Sequence, residues 1–422
     1  MAWTTAERRM RASAIGMALT LAGTVPAAKL AHPASLRAHC HVPYGDQALL
    51  NEDLIGVPSG RRKLQTPALV VDLDILECNI ARMADHAKRH NIALRPHAKT
   101  HKSAEIAKRQ IAAGALGICC AKLGEAEALA EGGVESILIT SPVVTEGGIA
   151  RLMALNGRMK ELIATCDNIE IATRLNAAAG RGNALKVFVD IDPGMGRTGI
   201  RPDKAMPLVE YVANAPRLEY AGLQCYAGQV QHMESPNQRR DASLSALKEL
   251  ADLRDALKAK GLAPKILSGG GTGTFDIDPD ARTLTELQVG SYVFMDRQYN
   301  DVWTKPGDRP PFETSLFVQT TVISANRTGL VTTDAGLKSF ATDDGVPVIA
   351  HGAAPGAVYF FFGDEQGGVI YNEESGKLRH GDAIACVVPH CDPTVNLYDR
   401  YHAVRGDVLE AIWPVDGRGR SA

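Results

Sequence analysis

The sequence lacks three features, each of which would indicate a particular class of protein. Its 46 basic and 48 acidic residues nearly cancel, so it has no charge excess of the kind that binds nucleic acid or an anionic membrane. Its eight cysteines are scattered without a CxxC pair, which excludes a disulfide scaffold. No apolar run reaches the roughly 18 residues of a membrane span. We therefore expect a small-molecule partner, and neither nucleic acid nor a membrane.

The first 40 residues differ in character from the rest of the chain. Arg8 and Arg9 precede a mildly apolar stretch of small residues at 14–28. This pattern is typical of a twin-arginine export leader. A disordered extension or a start codon placed too early would give the same pattern. Residues 1–40 are therefore set apart as a leader or extension, and the protein is expected to be cytoplasmic, or periplasmic if the leader is genuine.

From residue 66 the chain alternates short β-rich runs with segments of helical periodicity, of which 75–90 and 243–261 are the clearest. Eight β-rich runs are present: 67–74, 93–98, 116–122, 136–143, 161–167, 185–192, 218–226 and 264–271. This alternation predicts an α/β fold, a (β/α)8 TIM-like barrel, with an open doubly wound sheet as the alternative. Polar residues end several of the runs, which predicts a site at the C-terminal face of the barrel.

After residue 307 the β-rich runs continue, but no helix of comparable length separates them. Gly, Asn and Asp turns lie between them instead, which predicts an all-β second domain. The domain boundaries are therefore set at 62–306 for the barrel and 307–422 for the β domain. Residues 41–61 are candidates to join the β domain.

The octet RPHAKTHK at 95–102 places Lys99 among other basic groups just after a predicted barrel strand. The other basic groups of the octet are Arg95, His97, His101 and Lys102. If they share a site with Lys99, their charges lower its pKa, since like charges disfavour a further ammonium. A neutral amine attacks carbonyl carbon, so the octet predicts a covalent-catalysis lysine. A solvated basic loop is the alternative.

Two glycine-containing segments predict a phosphate site. The first, SGGGTGTF at 268–275, allows backbone N–H groups to approach an anion closely, and Thr272 adds a hydroxyl. The second contains Gly290 and Ser291. In barrels, phosphate sites often form from the loops after the last two strands, which is the region of both segments. A tight turn is the alternative for each.

Two further segments carry candidate ligands. Arg197 follows a predicted strand among glycines, where it can face a cofactor ring, although a surface arginine would look the same. His390 and Asp392 follow an apolar run, and in extended chain both would project to one side. An imidazole and a carboxylate suit Mn²⁺ or Mg²⁺, with Zn²⁺ as a further candidate. A turn capped at Asp392 is the alternative.

Together the motifs RPHAKTHK, GGGTG, LQVGSYVFMD and PHCDPTVNLYD, in this order, resemble the D-threonine aldolase and D-serine dehydratase family of pyridoxal-phosphate enzymes. The resemblance runs from about residue 64 to the end of the chain. It implies an alanine-racemase-like barrel followed by a C-terminal β domain. It also implies that Lys99 forms the Schiff base with pyridoxal 5'-phosphate.

The resemblance assigns roles to further residues. It implies phosphate binding by Thr272, Gly273, Gly290 and Ser291. It places Tyr226 and Tyr299 beside the cofactor, Arg197 near its ring, His390 and Asp392 on a divalent metal, and His232 as the candidate base. Two positions depart from the family pattern. Ala121 replaces a common glutamine, which puts one cofactor contact in doubt, and Ala227 replaces a common histidine in the substrate pocket.

The implied reaction is Cα–Cβ cleavage of a D-β-hydroxy-α-amino acid, resembling D-threonine or D-3-hydroxyaspartate, to glycine and an aldehyde. Asp392 favours this aldolase reaction, because the dehydratase branch tends to carry cysteine at that position. The alternatives are a D-serine or 3-hydroxy-D-aspartate dehydratase and a non-catalytic pyridoxal-phosphate-binding protein. No cation for a β-carboxylate can be located from the sequence. A homodimer is expected.

Overall fold

The computed structural model describes residues 50–422, apart from 181–182 and 304–309. The expected leader at 1–40 and the first part of 41–61 lie outside the described residues. The described part belongs to one compact unit. Within it, no helix combines the length and apolarity needed to cross a membrane.

Two sheets organise the described residues. The strands up to residue 287 are β1 (Ala68–Asp72), β2 (Ala93–Leu94), β3 (Ile118–Cys120), β4 (Ser136–Ile139), β5 (Glu161–Cys166), β6 (Leu185–Ile191), β7 (Leu218–Cys225), β8 (Ile266–Gly269) and β9 (Glu286–Leu287). Strands β2 to β9 form an eight-stranded sheet in the order β2-β9-β8-β7-β6-β5-β4-β3, and every pairing in it is parallel. A parallel bridge between His97 and Cys119 brings its two outer strands together. The predicted (β/α)8 barrel is confirmed.

Helices alternate with the barrel strands. The described α-helices are α1 (Leu73–His90), α2 (Ala104–Ala112), α3 (Leu123–Glu131), α4 (Glu146–Asn156), α5 (Ile169–Ala178), α6 (Ala205–Asn214), α7 (Pro236–Ala259), α8 (Arg297–Val302) and α9 (Cys391–Val395). The main core is formed by the buried apolar faces of α1 to α7 and by apolar residues of the barrel strands. In β5, for example, all residues after the first are buried. Burial on both faces is the reason that these strands show continuous apolar runs without alternation.

One predicted barrel strand was assigned to the wrong sheet. The run at 67–74 forms β1, which pairs antiparallel with β10 and parallel with β16 of the second sheet. The eighth barrel strand is β9, which has only two residues and pairs with β2 and β8. A two-residue strand carries no periodicity, so the sequence pattern could not distinguish it from a loop.

The second sheet has nine strands and includes β1. Its other members are β10 (Leu316–Arg327), β11 (Leu330–Thr333), β12 (Val348–His351), β13 (Val358–Phe361), β14 (Gly367–Ile370), β15 (Ala383–Val387), β16 (Arg400–Arg405) and β17 (Val408–Pro414). The main path is β13-β14-β11-β10-β1-β16-β17, and β15 joins β10 to β12. The predicted all-β C-terminal region is confirmed. Two short 3₁₀ helices, Glu52–Leu54 and Gly60–Lys63, precede β1, and the Gly56 N–H between them donates to Leu409 O on β17 at 2.8 Å.

A salt-bridge network lies at the N-terminal end of the barrel, opposite the face predicted to carry the site. Arg95 Nε donates to Glu286 Oε1 at 3.1 Å, and the two side chains are 2% and 1% exposed. Arg95 also approaches Glu161 at 3.6 Å and donates to Ser136 Oγ at 2.8 Å. Glu286, Glu161 and Ser136 are the first residues of their strands. The guanidinium therefore ties together strands from different sides of the barrel.

Candidate active site

A cavity of about 620 Å³ opens at the C-terminal ends of the barrel strands. Its lining includes residues that follow six different barrel strands: Lys99, Thr140, Arg197, Tyr226, Thr272 and Ser291. Parallel strands place their C-terminal ends at one face of a barrel, and this is why residues up to 192 positions apart meet here. The predicted location of the site is thus matched by a cavity of a size that small-molecule sites have.

Lys99 lies in a 3₁₀ turn, Ala98–Thr100, directly after β2. The turn is capped by His97, whose Nδ1 accepts from the Lys99 N–H at 3.3 Å. The Lys99 side chain is 41% exposed, and its Nζ donates to Asp392 Oδ1. Burial alone would lower the pKa of Lys99, but the Asp392 carboxylate outweighs it and raises that pKa. The contact with Asp392 therefore favours the ammonium form of the amine.

The expectation that neighbouring cations lower the pKa of Lys99 is wrong. Arg95 points to the opposite end of the barrel, towards Glu286. Burial lowers the pKa of His97 to about 3 and that of His101 to about 4, so neither imidazole carries charge near pH 7. The octet contains the cations that we expected, but folding separates or neutralises them.

Asp392 reaches Lys99 from the C-terminal region through the short helix α9. Thr100 Oγ1 also donates to Asp392 Oδ2, at 3.1 Å. Helix α9 is anchored by Asp296, which accepts from the Cys391 N–H at 2.7 Å and caps α8 through the Tyr299 N–H at 2.9 Å. Burial would raise the pKa of Asp392, but Lys99 holds it well below its usual range. The carboxylate is ionised and positioned beside the lysine amine.

The extended geometry expected for His390 and Asp392 is wrong, because the chain turns into α9 between them. His390 is the N-cap of this helix and Asp392 lies in its first turn. His390 Nδ1 lies 2.6 Å from Asp343 Oδ2. Among residues 50–422 as described, no group of three or more His, Cys, Asp or Glu side chains is arranged to hold a metal ion. The two predicted ligands stay a prediction, with two donors rather than a complete set.

The glycine segments form another part of the cavity wall, next to the lysine turn. Thr272, Gly290 and Ser291 line it, together with Gly271. A Cβ on Gly290 would lie 2.8 Å from Thr100 Oγ1, so a side chain there would press against the lysine turn. Gly273 lies away from the opening, and its N–H donates to Gln231 Oε1 at 2.9 Å. Three of the four predicted phosphate-binding residues therefore line the cavity.

A buried polar network supports this wall from behind. Gln231 Nε2 donates to Thr274 Oγ1 at 3.1 Å, and Thr274 Oγ1 donates to Asp278 Oδ2 at 2.7 Å. Ser243 Oγ donates to the other oxygen of Asp278 at 2.6 Å. Burial raises the pKa of Asp278 to about 7. No motif indicated this network, because its members come from three separate segments of the chain.

Aromatic side chains flank the region between Lys99 and the glycine wall. The Arg197 guanidinium lies 5.3 Å from the centroid of the Tyr226 ring. The ring of His232 packs on Tyr299 with centroids 4.5 Å apart, although His232 does not itself line the cavity. Partial burial of this ring, with a smaller contribution from the neighbouring His390, lowers the pKa of His232. Ala121, the departure from the expected glutamine, lines the cavity.

The floor of the cavity contains a polar layer that sequence reasoning missed. Gln288 Nε2 donates to Gln224 Oε1 at 3.3 Å, and Gln224 Nε2 donates to Asp190 Oδ1 at 2.9 Å. Thr198 Oγ1 donates to the second Asp190 oxygen at 2.9 Å. Burial raises the pKa of Asp190 to about 6. Single glutamines at strand ends carry no motif, so only their meeting in the barrel reveals this layer.

The sequence matches two family models. Residues 71–298 match the alanine racemase N-terminal domain, and residues 315–404 match the putative serine dehydratase domain. Among curated relatives, the 3-hydroxy-D-aspartate aldolase of Paracoccus denitrificans (strain Pd 1222) is 38% identical over 364 residues, which cover 85% of this chain and 93% of the relative. The D-threonine aldolase of Arthrobacter sp. is 38% identical over 363 residues, with 85% and 94% covered.

A dehydratase is also similar, at lower identity. The D-threo-3-hydroxyaspartate dehydratase of Delftia sp. (strain HT23) is 30% identical over 336 residues, which cover 76% of this chain and 85% of that protein. Among solved structures, D-threonine aldolase from Filomicrobium marinum superposes with a TM-score of 0.80 at 38% identity, covering 85% of this chain and 97% of that one.

Proposed function

The chain belongs to the family that joins an alanine racemase N-terminal domain to a putative serine dehydratase domain, and from this premise we propose an aldolase function. Membership implies pyridoxal phosphate as the cofactor. The proposed reaction is Cα–Cβ cleavage of a D-β-hydroxy-α-amino acid to glycine and an aldehyde, assisted by a divalent metal. The two aldolases share 38% identity with the chain and the dehydratase 30%, which supports cleavage over elimination.

One observation carries the proposal: the Lys99 amine and the Asp392 carboxylate are in contact at the cavity, although 293 residues separate them. A lysine amine at the C-terminal face of a barrel is suited to hold the cofactor. A carboxylate beside it is suited to hold a cation at the β-hydroxyl group of a substrate bound there. Both groups that the reaction needs are thus within reach of one small molecule.

The cavity residues fit pyridoxal phosphate. Thr272 and Ser291 contribute hydroxyl groups, and Gly290 a backbone without a side chain, to the wall proposed for the phosphate, and Lys99 lies in the neighbouring turn. Arg197, stacked on Tyr226, presents a fixed cation to the space between. When bound, the cofactor supplies an electron sink for negative charge at the substrate Cα.

His390 and Asp392 fit a divalent cation in their donor chemistry, an imidazole nitrogen and a carboxylate oxygen. The contact of His390 Nδ1 with Asp343 supports this role, because metal-ligating histidines usually bond a carboxylate through the second ring nitrogen. It leaves His390 Nε2 as the donor atom. A cation bound here would stabilise negative charge on the substrate β-hydroxyl oxygen. Mn²⁺ or Mg²⁺ is favoured, because one of the two donors is a carboxylate.

His232 is the proposed base that takes the proton of the β-hydroxyl. Its pKa is lowered, so its ring is neutral near pH 7 and a ring nitrogen can accept a proton. The Tyr299 ring limits the orientations of the imidazole. Removal of this proton leads to cleavage of the Cα–Cβ bond, because the alkoxide collapses to the aldehyde.

Product analysis tests the proposal. The protein is incubated with pyridoxal phosphate, Mn²⁺ and D-threonine, D-3-hydroxyaspartate or D-serine in turn. We expect glycine and an aldehyde from the first two, and no product with the Lys99→Ala variant. L-Threonine is the stereochemical control. Formation of a 2-oxo acid and ammonia alone would refute cleavage and favour elimination.

A further inference from the structure

The proposed aldolase leaves open which substituent the substrate carries on Cβ. The relatives named for D-threonine and for 3-hydroxy-D-aspartate share the same 38% identity with this chain. We propose that Lys122 selects substrates whose Cβ carries a carboxylate, so that the chain prefers a D-3-hydroxyaspartate-type substrate. This inference rests on the proposed function and assigns the β-carboxylate its binding residue.

Lys122 occupies a position where its local structure gains nothing from a lysine. It is the N-cap of α3, and its side chain makes no capping hydrogen bond. N-caps favour Ser, Thr, Asp or Asn, because these side chains accept from the free N–H groups of the first turn, and an ammonium has no acceptor. A cation also opposes the positive end of the helix dipole. Residues that violate local preference in this way are found at functional sites.

The charges that line the cavity leave Lys122 without a partner. Its lining contains three cations, Lys99, Lys122 and Arg197, and one carboxylate, Asp167. Lys99 is paired with Asp392, and Arg197 is stacked on Tyr226. For Lys122, the described part of the chain provides neither a salt bridge nor a side-chain hydrogen bond. An unpaired cation at the opening of a small-molecule cavity is suited to bind an anionic group of the ligand.

Asp167 does not compensate for Lys122. It accepts from the Gly199 N–H at 3.3 Å and from Asn168 Nδ2 at 2.9 Å, within the loops after β5 and β6. Counting Asp392 beside Lys99, three cations face two carboxylates, which leaves an excess of one positive charge. Such a cavity favours a substrate with two carboxylates over one with a carboxylate and a methyl group.

The order of the strands places Lys122 on the substrate side of Lys99. Strand β2, which leads to Lys99, lies between β9 and β3. Strand β9 leads to Gly290 and Ser291 of the phosphate wall, whereas β3 leads to Lys122. Lys122 therefore lies on the side of Lys99 away from the phosphate wall, and its side chain is exposed at the rim of the cavity. A substrate whose Cβ substituent extends to this side would bring a β-carboxylate to the Lys122 ammonium.

Binding without turnover tests the proposal. D-Aspartate carries the β-carboxylate but no β-hydroxyl, so it cannot undergo the cleavage, and D-alanine lacks both groups. Their affinities for the cofactor-loaded protein are measured by the change in absorption of the bound cofactor. We expect D-aspartate to bind about fivefold more tightly than D-alanine, the upper range for a partly exposed ion pair. The preference should fall as ionic strength rises.

Three variants assign the preference to the Lys122 charge. Lys122→Gln should bind D-aspartate and D-alanine equally, and Lys122→Arg should retain the preference. Lys108→Gln is the matched control, because Lys108 is an exposed lysine on α2 outside the cavity lining. If Lys122→Gln weakens both ligands to the same degree, Lys122 serves the α-carboxylate and the proposal is overturned. An unchanged preference in Lys122→Gln overturns it as well.

A kinetic comparison separates this inference from the proposed function. In the wild type and Lys122→Gln, kcat/KM is measured for D-3-hydroxyaspartate and D-threonine. We expect the variant to lose about fivefold on the first substrate and nothing on the second. If the wild type cleaves neither compound but still prefers D-aspartate through Lys122, the aldolase function fails and the carboxylate selection stands. If it cleaves both and Lys122→Gln changes neither rate, the inference alone fails.

Discussion

Replacement of Glu286 by glutamine tests the role of the salt-bridge network at the N-terminal end of the barrel. Glu286 and Arg95 are 1% and 2% exposed, and two Arg95–Glu286 contacts of 3.1 and 3.3 Å join them. The glutamine keeps the shape and one oxygen acceptor but removes the charge. Arg95 is then left as a buried cation whose remaining carboxylate partner, Glu161, lies 3.6 Å away.

The expected cost follows from the burial of both side chains. Removing one partner of a fully buried ion pair destabilises a protein by about 3–5 kcal/mol, because the other charge is left without compensation. Glu161 and the hydroxyl of Ser136 remain near Arg95, so we expect the lower end, roughly 3 kcal/mol. The network lies at the opposite end of the barrel from the cavity, so the folded variant should bind the cofactor as the wild type does.

Urea unfolding followed by tryptophan fluorescence measures this cost. Asp407→Asn is the control, because it breaks a salt bridge to Arg62 whose side chains are 45% and 72% exposed. It should cost less than about 1 kcal/mol. The double variant Arg95→Met with Glu286→Leu should recover most of the loss, since it leaves no buried charge unpaired. A Glu286→Gln variant as stable as the Asp407→Asn control would refute the reasoning.

Three further predictions concern the cavity. Gly290→Ala places a Cβ 2.8 Å from Thr100 Oγ1 and so disturbs the wall proposed for the phosphate. The dissociation constant for pyridoxal phosphate, measured by fluorescence, should rise roughly tenfold. An unchanged constant would show that Gly290 does not contribute to phosphate binding. The raised pKa of Asp278, about 7, means that its protonated form contributes stability that is lost as pH rises through 7. Asp278→Asn should therefore gain stability relative to the wild type between pH 6 and pH 8 in thermal unfolding, and parallel curves would contradict this. A chelator should abolish glycine formation reversibly, whereas loss of activity in His390→Ala should not be restored by Mn²⁺; activity that resists the chelator would exclude His390 and Asp392 as metal ligands.

Local patterns in the sequence were sufficient for the architecture. Alternating β-rich and helical periodicity predicted the barrel, and β-rich runs separated by turn residues predicted the C-terminal sheet. These features depend on each segment burying its own apolar residues, so they are readable from short windows. The two failures, the sheet to which β1 belongs and the two-residue strand β9, concern pairing between distant segments. A short window of sequence does not show which distant strand its own strand will pair with.

For the candidate site as well, the sequence predicted the local motifs but not the contacts between distant residues. The motif around Lys99 and the glycines before Thr272 were recognised from the sequence, because together with two later motifs they resemble those of one enzyme family in the same order. The protonation of Lys99 was predicted with the wrong sign. It depends on Asp392, which reaches the lysine only because α9 packs on the lysine turn.

The sequence by itself determined the barrel and the C-terminal sheet and the position of the cavity at the C-terminal face, and it singled out the residues that we propose to hold the cofactor. Only the tertiary structure decided which charges meet. It turned Arg95 away from Lys99, brought Asp392 to it, and left Lys122 at the rim without a charged partner among the described residues. The reason is physical: a charge acts over a few ångströms through space, and adjacency along the chain does not determine that distance.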